Sequence, residues 1–272
     1  MERAAQIRKG AATSQDEARS TPPPISRIHN PPRASEVLNK ISSDNPLLVT
    51  LNDPASPVAE EYRKLKSILV KMTSGEIHKN VLMVTSAVPS EGKSLTALNL
   101  AVTLAQEYDN TVLLLDADLR RPALHKYLNI ERKVGLADCL LNNVDLSEVI
   151  VPTGIGKLSI VTAGCTVNNP AELFSSNRMK SLLDEMKHRY HDRYIIFDTP
   201  PILPFAETRS LAHLVDGVVF VVKEQLASQS NVKDAIEALK GCELLGIVYN
   251  DANIAQNVDR YYSYRSYSEP EK

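Results

Sequence analysis

The sequence predicts an α/β fold built on a doubly wound, mostly parallel sheet. Three observations point to it. Asn80 to Ser94 reads NVLMVTSAVPSEGKS: the apolar run Val81 to Val84 breaks into a small-residue turn, and helical spacing follows from Leu95 to Gln106. Thr111 to Leu115 is a continuous apolar run that ends in Asp116, Ala117 and Asp118. Tyr194 to Phe197 repeats that pattern and ends in Asp198. Continuous apolar runs suit strands covered on both faces, as in parallel sheets. Acidic residues at their carboxyl ends fall in the crevice where such sheets bind ligands.

In chain order, residues 1–45 are rich in Ala, Ser, Arg and Pro and carry no periodic apolar face. Such a segment buries too little surface to offset its ordering entropy, so a disordered leader is expected. Leu47 to Leu51 is a short apolar segment, expected as an edge strand or arm. From Pro57 onward, Val58, Tyr62, Leu65, Ile68, Leu69 and Met72 recur at helical spacing and predict an amphipathic helix. Glu60, Arg63 and Lys66 are three apart and line another side of it, either as a solvated face or as a charged contact with a neighbouring subunit.

The strand-loop-helix join carries the chemistry. Against G-x-x-x-x-G-K-[ST] every position fits except the first, which is Ala87. The expected phosphate cradle is Pro89, Ser90, Glu91, Gly92, Lys93, Ser94 and Leu95. Its main-chain N–H groups and the positive end of the following helix dipole face the phosphates, and Gly92 lets the main chain approach closely. Lys93 adds a mobile positive charge for the β- and γ-phosphates, and the Ser94 hydroxyl suits Mg²⁺. Burying an unpaired carboxylate is costly. Asp116 and Asp118 therefore require a metal nearby, or ion pairing with Arg120 or Arg121. Asp198, at the end of its apolar strand, fits a Walker B carboxylate that holds Mg²⁺ directly or through water.

The remaining elements follow the same punctuation. Gly135 to Leu141 and Leu146 to Val151 are expected as short helices, and Leu158 to Thr162 as a strand. Asn169 and Pro170 open a helix, Met179 to Tyr190 forms another, and Gln229 to Lys240 lies between the strands Gly217 to Val222 and Leu245 to Tyr249. Asn250 and Asp251 end the last strand, on an edge suited to reading a nucleotide base. Residues 46–256 thus form one domain and 257–272 a flexible tail. Four of the ten tyrosines, Tyr261, Tyr262, Tyr264 and Tyr267, lie in the last twelve residues beside Arg260 and Arg265. Such a tail stacks on single-stranded nucleic acid, presents phenol hydroxyls to an active site, or has no role of its own.

Composition narrows the classes. A formal net charge of -2 gives no global basic field for nucleic acid or an anionic membrane. The N-terminus lacks an apolar signal core, and no stretch approaches the about 18 apolar residues of a spanning helix. A cytoplasmic chain is expected. Cys139, Cys165 and Cys242 are too far apart for a metal knuckle or redox pair. His188 and His191 sit in a polar helix end, expected as a solvated face.

Together these features resemble the bacterial tyrosine kinase family, P-loop autokinases that accompany capsular and extracellular polysaccharide synthesis. The resemblance runs over about residues 55–267 and rests on SAVPSEGKS, LLLDADLRRP, NPAELFSS, IIFDTPP and the tyrosine-rich end. It is strongest to the stand-alone cytoplasmic kinases, including those of exosortase-type systems. It implies a P-loop NTPase fold with a deviant Walker A motif, shared with partition and septum-positioning ATPases, and ATP with Mg²⁺ as cofactors. It implies that Asp118 and Asp198 support the metal and that Asp116 orients or deprotonates the incoming tyrosine. The tail tyrosines would be phosphorylated in trans within a ring of copies. The implied partners are a membrane-embedded polysaccharide co-polymerase that recruits and activates the kinase, and a tyrosine phosphatase, with no nucleic acid. Two departures stand out. The family usually has glycine where Ser90 stands, and arginine where Lys66 ends the E-x-x-R-x-x-R pattern; lysine lacks the guanidinium fork. The competing readings are an ATP-dimerising switch, disfavoured because Val88 stands where such ATPases carry a lysine, and a weakly active scaffold of the export machinery.

Overall fold

A computed structural model describes residues 45–75, 79–189 and 193–252. Along the chain come α1 (Val49–Asn52), α2 (Pro57–Thr73), β1 (Val81–Ser86), α3 (Lys93–Ala105), β2 (Thr111–Asp116), α4 (Leu124–Tyr127), α5 (Leu136–Leu141) and α6 (Leu146–Val149). There follow β3 (Ile150–Pro152), β4 (Leu158–Val161), α7 (Pro170–Ser175), α8 (Asn177–Arg189), β5 (Arg193–Asp198), α9 (Ala206–Ala212), β6 (Gly217–Lys223), α10 (Gln229–Ala238) and β7 (Leu244–Asn250). The strands form one sheet in the order β3-β4-β2-β5-β1-β6-β7, parallel throughout except for β3 against β4. This is the doubly wound architecture that the apolar runs predict.

The continuous runs have a simple cause. Successive side chains of a strand point to opposite faces, and both faces here are covered. Val81, Met83, Leu113, Leu115, Ile195 and Phe197 face one core with Phe174, Met179, Leu182 and Met186 of α7 and α8. Leu82, Val84, Val112, Leu114 and Ile196 face the other, with Leu98, Leu100, Ala101 and Leu104 of α3 and Leu69 of α2. Each fully buried leucine or isoleucine contributes about 1.5–3 kcal/mol. α3 is buried almost all round, so it lacks a charged outward face and an amphipathic stripe. α2 starts where its sequence says: the Ser56 hydroxyl caps it by accepting from the Ala59 N–H, with Pro57 at the first helical position.

Two expectations are corrected. Residues 47–51 form a helical turn, α1, instead of an edge strand. Asn99, buried on α3, accepts from the Thr50 N–H and hydroxyl and donates to the Leu47 carbonyl, so a side chain supplies the partners that a strand ladder would have given. The segment 146–151 is not all helix: α6 stops at Val149, and Ile150 to Pro152 pairs antiparallel with β4 as the short outer strand β3. Proline at its end is compatible with an edge, where no ladder N–H is required. α4 and α9 are additional elements that periodicity did not announce.

Candidate active site

The loop from Ala87 to Gly92 joins β1 to α3 at the carboxyl edge of the sheet. Gly92 caps α3 in the left-handed region at φ 87°, and a Cβ there would lie 2.1 Å from Asn250 Nδ2. Glycine is required twice over. Ala87 is buried and has no positive φ, so the first position of the motif needs no glycine on conformational grounds. Ser90, exposed at the loop tip with Pro89, does take a left-handed φ of 68°. Glu91 points inward and is fully buried: its Oε2 accepts the Val88 N–H at 2.8 Å and its Oε1 the Lys223 N–H at 3.3 Å. Only its main chain faces the cradle.

Three carboxylates gather opposite this loop. Asp116 and Asp198 are direct neighbours across β2 and β5. Lys93 Nζ lies 3.4 Å from Asp118 Oδ2, and Asp118 Oδ1 accepts the Arg121 N–H at 2.9 Å. Asp116 Oδ2 accepts the N–H groups of Ala123 and Leu124, at 3.1 Å each. Its Oδ1 is buried without a partner, and so are both oxygens of Asp198. Burial, with the charges of Asp198 and Asp118, pushes the Asp116 carboxyl up to about 8. Burial likewise raises Asp198 to about 6, although Lys93 and Ser94 oppose the rise.

The arginines do not neutralise this group. Arg120 pairs with the buried Glu207 of α9 and lies 4.8 Å over the Phe205 ring, while Arg121 contributes its main-chain N–H. Neither Glu207 nor the inward turn of Glu91 was foreseen; an acid directly before the Gly-Lys-Ser turn was the available signal for Glu91.

The residues fit Mg²⁺. Unpartnered, fully buried carboxylate oxygens call for a cation, and Ser94 and Lys93 act on the same Asp198. Among the described residues no three His, Cys, Asp or Glu side chains form a metal cage. Mg²⁺ suits such a site because it takes one or two protein ligands and fills its shell with phosphates and water. Ser94, Asp198 and Asp118 would hold it, and it would neutralise charge on a bound triphosphate.

The other expected residues lie elsewhere or outside the description. Asn250 reaches the phosphate loop, its Nδ2 donating to the Glu91 carbonyl at 2.9 Å. On α2, Arg63 pairs with Glu60, but Lys66 turns to Glu107 just beyond α3. Tyr261, Tyr262, Tyr264 and Tyr267 lie outside the described residues, as do His191 and the His188 side chain. Cys139 is a buried free thiol that burial pushes up to about 11. No described helix is long and apolar enough to cross a membrane.

Over residues 77–264 the chain matches the family model ParA, described as NUBPL iron-transfer P-loop NTPase. It is 36% identical over 217 residues to the tyrosine-protein kinase YwqD of Bacillus subtilis (strain 168), spanning 79% of this chain and 90% of that protein. The chimerical protein CapA2B2 aligns with a TM-score of 0.71 at 31% identity, covering 76% of this chain and 90% of that one. The kinase domain of the Escherichia coli tyrosine kinase ETK aligns with a TM-score of 0.69 at 30% identity, covering 76% and 82%.

Proposed function

This chain belongs to the bacterial protein-tyrosine kinases, a family built on the P-loop NTPase fold, and on that premise we propose that it is an ATP-dependent autokinase. It transfers the γ-phosphoryl group to Tyr261, Tyr262, Tyr264 and Tyr267 in the tail of a neighbouring copy. Residues 46–256 act as the kinase and 257–272 as its substrate, with 1–45 as a leader. Glu60, Arg63 and Lys66 contribute to the contact between copies. The family resemblance further supports work at the inner face of the cell membrane with a polysaccharide co-polymerase as activator, a tyrosine phosphatase as opponent, and exopolysaccharide synthesis and export as the regulated process.

The observation that carries this reading is the gathering of Lys93, Asp116, Asp118 and Asp198, with three buried carboxylate oxygens left unpartnered. Phosphoryl transfer asks little covalent chemistry of the protein; it asks for positioning and charge stabilisation. Lys93 and the main-chain N–H groups of residues 89–95 hold the triphosphate. Ser94, Asp118 and Asp198 are the Mg²⁺ ligands, and Asn250 lies beside the cradle. Asp116 Oδ1 is the atom available to accept the proton of an incoming phenol. An ordinary carboxylate near 3.9 is a poor base for a phenol near 10. Burial and the charges of Asp198 and Asp118 raise Asp116, and a cation held by those two carboxylates would offset the repulsion and leave Oδ1 ionised to accept the proton.

Incubating the purified chain with Mg-ATP and the cytoplasmic segment of the activator should yield phosphotyrosine within residues 261–267, mapped by mass spectrometry. Lys93→Ala should abolish it. An absence of phosphotyrosine in that stretch would sink the proposal. The P-loop NTPase fold of the matched ParA family model is compatible with a second reading, an ATP-dimerising switch. Its signature is ATP-driven dimerisation with hydrolysis and no tyrosine labelling.

A further inference from the structure

We infer that Tyr108 is a further phosphoacceptor of this kinase, carried on the folded domain and modified in trans by a neighbouring copy. This rests on the reading above, in which Lys93, Asp116, Asp118 and Asp198 serve phosphoryl transfer from ATP to tyrosine. Asp116 and Asp198 are fully buried, so a phenol reaches them only if its side chain projects freely from its own chain. Among the five tyrosines of the described residues, Tyr108 meets that demand. Tyr194 is 2% exposed, with its hydroxyl 2.7 Å from that of Thr73, and Tyr62 and Tyr127 are partly buried against their neighbours. Tyr249 lies along β7 and is 58% exposed, whereas Tyr108 is 93% exposed.

The main chain beneath Tyr108 is held while its phenol is free. Residues 106–110 turn the chain from α3 into β2. The Glu107 N–H donates to the Leu104 carbonyl at 3.2 Å, Asn110 Nδ2 donates to the Glu107 carboxylate at 3.0 Å, and Lys66 of α2 pairs with that same carboxylate. Lys157 Nζ donates to the Tyr108 carbonyl, and the Lys157 N–H to the Ala105 carbonyl at 3.0 Å. Fixing a mobile acceptor segment costs about 1–2 kcal/mol for each residue. A preformed turn has already met that cost. The lysines also suit the product, because a phosphate brings a charge of about -1.5 to -2 and Lys157 spends its ammonium on a neutral carbonyl.

The turn precedes β2, and Asp116 ends that strand. Six residues at about 3.3 Å each put about 20 Å between Tyr108 and the Asp116 of its own chain. A pinned turn does not close that gap, so the donor is another copy. The Tyr108 phenol oxygen bonds to the γ-phosphorus of ATP held there, and the bond from that phosphorus to the β,γ-bridging oxygen breaks. ADP leaves, and the phenol proton passes to Asp116 of the neighbouring copy.

Mass-spectrometric mapping after incubation with Mg-ATP tests this on the full chain. Cleavage after Lys93 and Arg120 leaves residues 94–120, in which Tyr108 is the sole tyrosine. Phosphotyrosine should appear there, should persist when Tyr261, Tyr262, Tyr264 and Tyr267 are all changed to phenylalanine, and should be lost when Tyr108→Phe is added. A Lys93→Ala chain mixed with the chain lacking all five of these tyrosines should gain the label at its Tyr108. Labelling of the tail with Tyr108 unmodified would overturn the inference and leave the proposed function standing. Equal labelling of Tyr108 and Tyr249 would mean indiscriminate modification and overturn it as well. If the active chain labels its own Tyr108 but the Lys93→Ala chain stays unlabelled, transfer in trans is wrong. A wild-type chain with phosphotyrosine at neither Tyr108 nor the tail removes the kinase reading itself, and this inference with it.

Discussion

Asp116 and Asp198 stand side by side on adjacent strands, end apolar runs of the same kind and are both fully buried, yet they are not equivalent. Asp116 spends one oxygen on the Ala123 and Leu124 N–H groups and so shapes the chain that follows β2. Asp198 spends neither. An uncompensated buried charge costs several kcal/mol, so a fold keeps one where a ligand repays it. Under the proposed function, one oxygen of Asp116 serves the structure and the other the chemistry, and both oxygens of Asp198 are left for what binds.

The comparison breaks most visibly in Asp198→Asn. Removing a charge that Lys93 and Ser94 only partly offset should lower tyrosine labelling by at least about 100-fold and raise the melting temperature of the ligand-free chain. Labelling and thermal melts on the same sample decide it. A drop in both would mean that Asp198 supports the fold as Asp116 does. Asp116→Asn comes next: its amide oxygen still accepts from Ala123 and Leu124, so melting changes little while labelling falls by about 100-fold, the usual loss of a positioned base. Asp116→Ala should lose labelling and stability together.

pH sharpens the same contrast in the absence of nucleotide. Both carboxyls titrate above their unfolded value near 3.9, first because burial disfavours the charge; the charges of Asp198 and Asp118 add to the rise at Asp116, and that of Asp118 adds at Asp198, where Lys93 and Ser94 oppose it. The folded chain therefore holds more protons than the unfolded one across this window. The stability these two groups contribute is fully present below about pH 4 and is lost as pH rises through about 6 and then about 8. Denaturant midpoints at pH 5 and pH 9 should show the decline. Asp116→Asn should remove its upper part, and a flat wild-type profile would contradict the assignment.

A smaller effect is expected at Ser90, whose left-handed φ of 68° a Cβ resists. Ser90→Gly should stabilise the chain by about 1 kcal/mol, read from the denaturation midpoint. Any loss of stability would mean that the serine hydroxyl does something its exposed position does not suggest.

The parts legible in the sequence are those where one local rule acts alone. The runs at β1, β2 and β5 announce doubly covered strands because nothing but burial selects them. The Gly92-Lys93-Ser94 turn announces a phosphate cradle because few backbones need that order. What stayed hidden depends on partners far along the chain. α1 is a helical turn because Asn99, forty-nine residues from Thr50, satisfies it. β3 has three residues and no period to read, and α9 starts after a proline-rich turn that gives no cap signal. The pairing of Arg120 with Glu207 spans eighty-seven positions, so the arginines next to the aspartates looked like their natural partners.

The smallest expected effect concerns α2, where spacing alone puts Glu60, Arg63 and Lys66 on one side. The side chains separate into two groups. Glu60 and Arg63 pair with each other near the surface, with 38% and 42% of their side chains exposed. Lys66 is 18% exposed and committed to Glu107 within its own subunit. If copies meet through this helix, Arg63 can exchange its partner at little cost, because exposed pairs contribute about 0–1 kcal/mol. Lys66 would first have to abandon Glu107. Arg63→Ala should therefore lower the assembled mass measured by light scattering at micromolar concentration. Lys66→Ala should leave that mass unchanged and shift the melting temperature by only a few degrees. An assembly that dissolves in Lys66→Ala with unchanged melting would mean the lysine works between subunits, and that Glu107 is the partner it gives up on assembly.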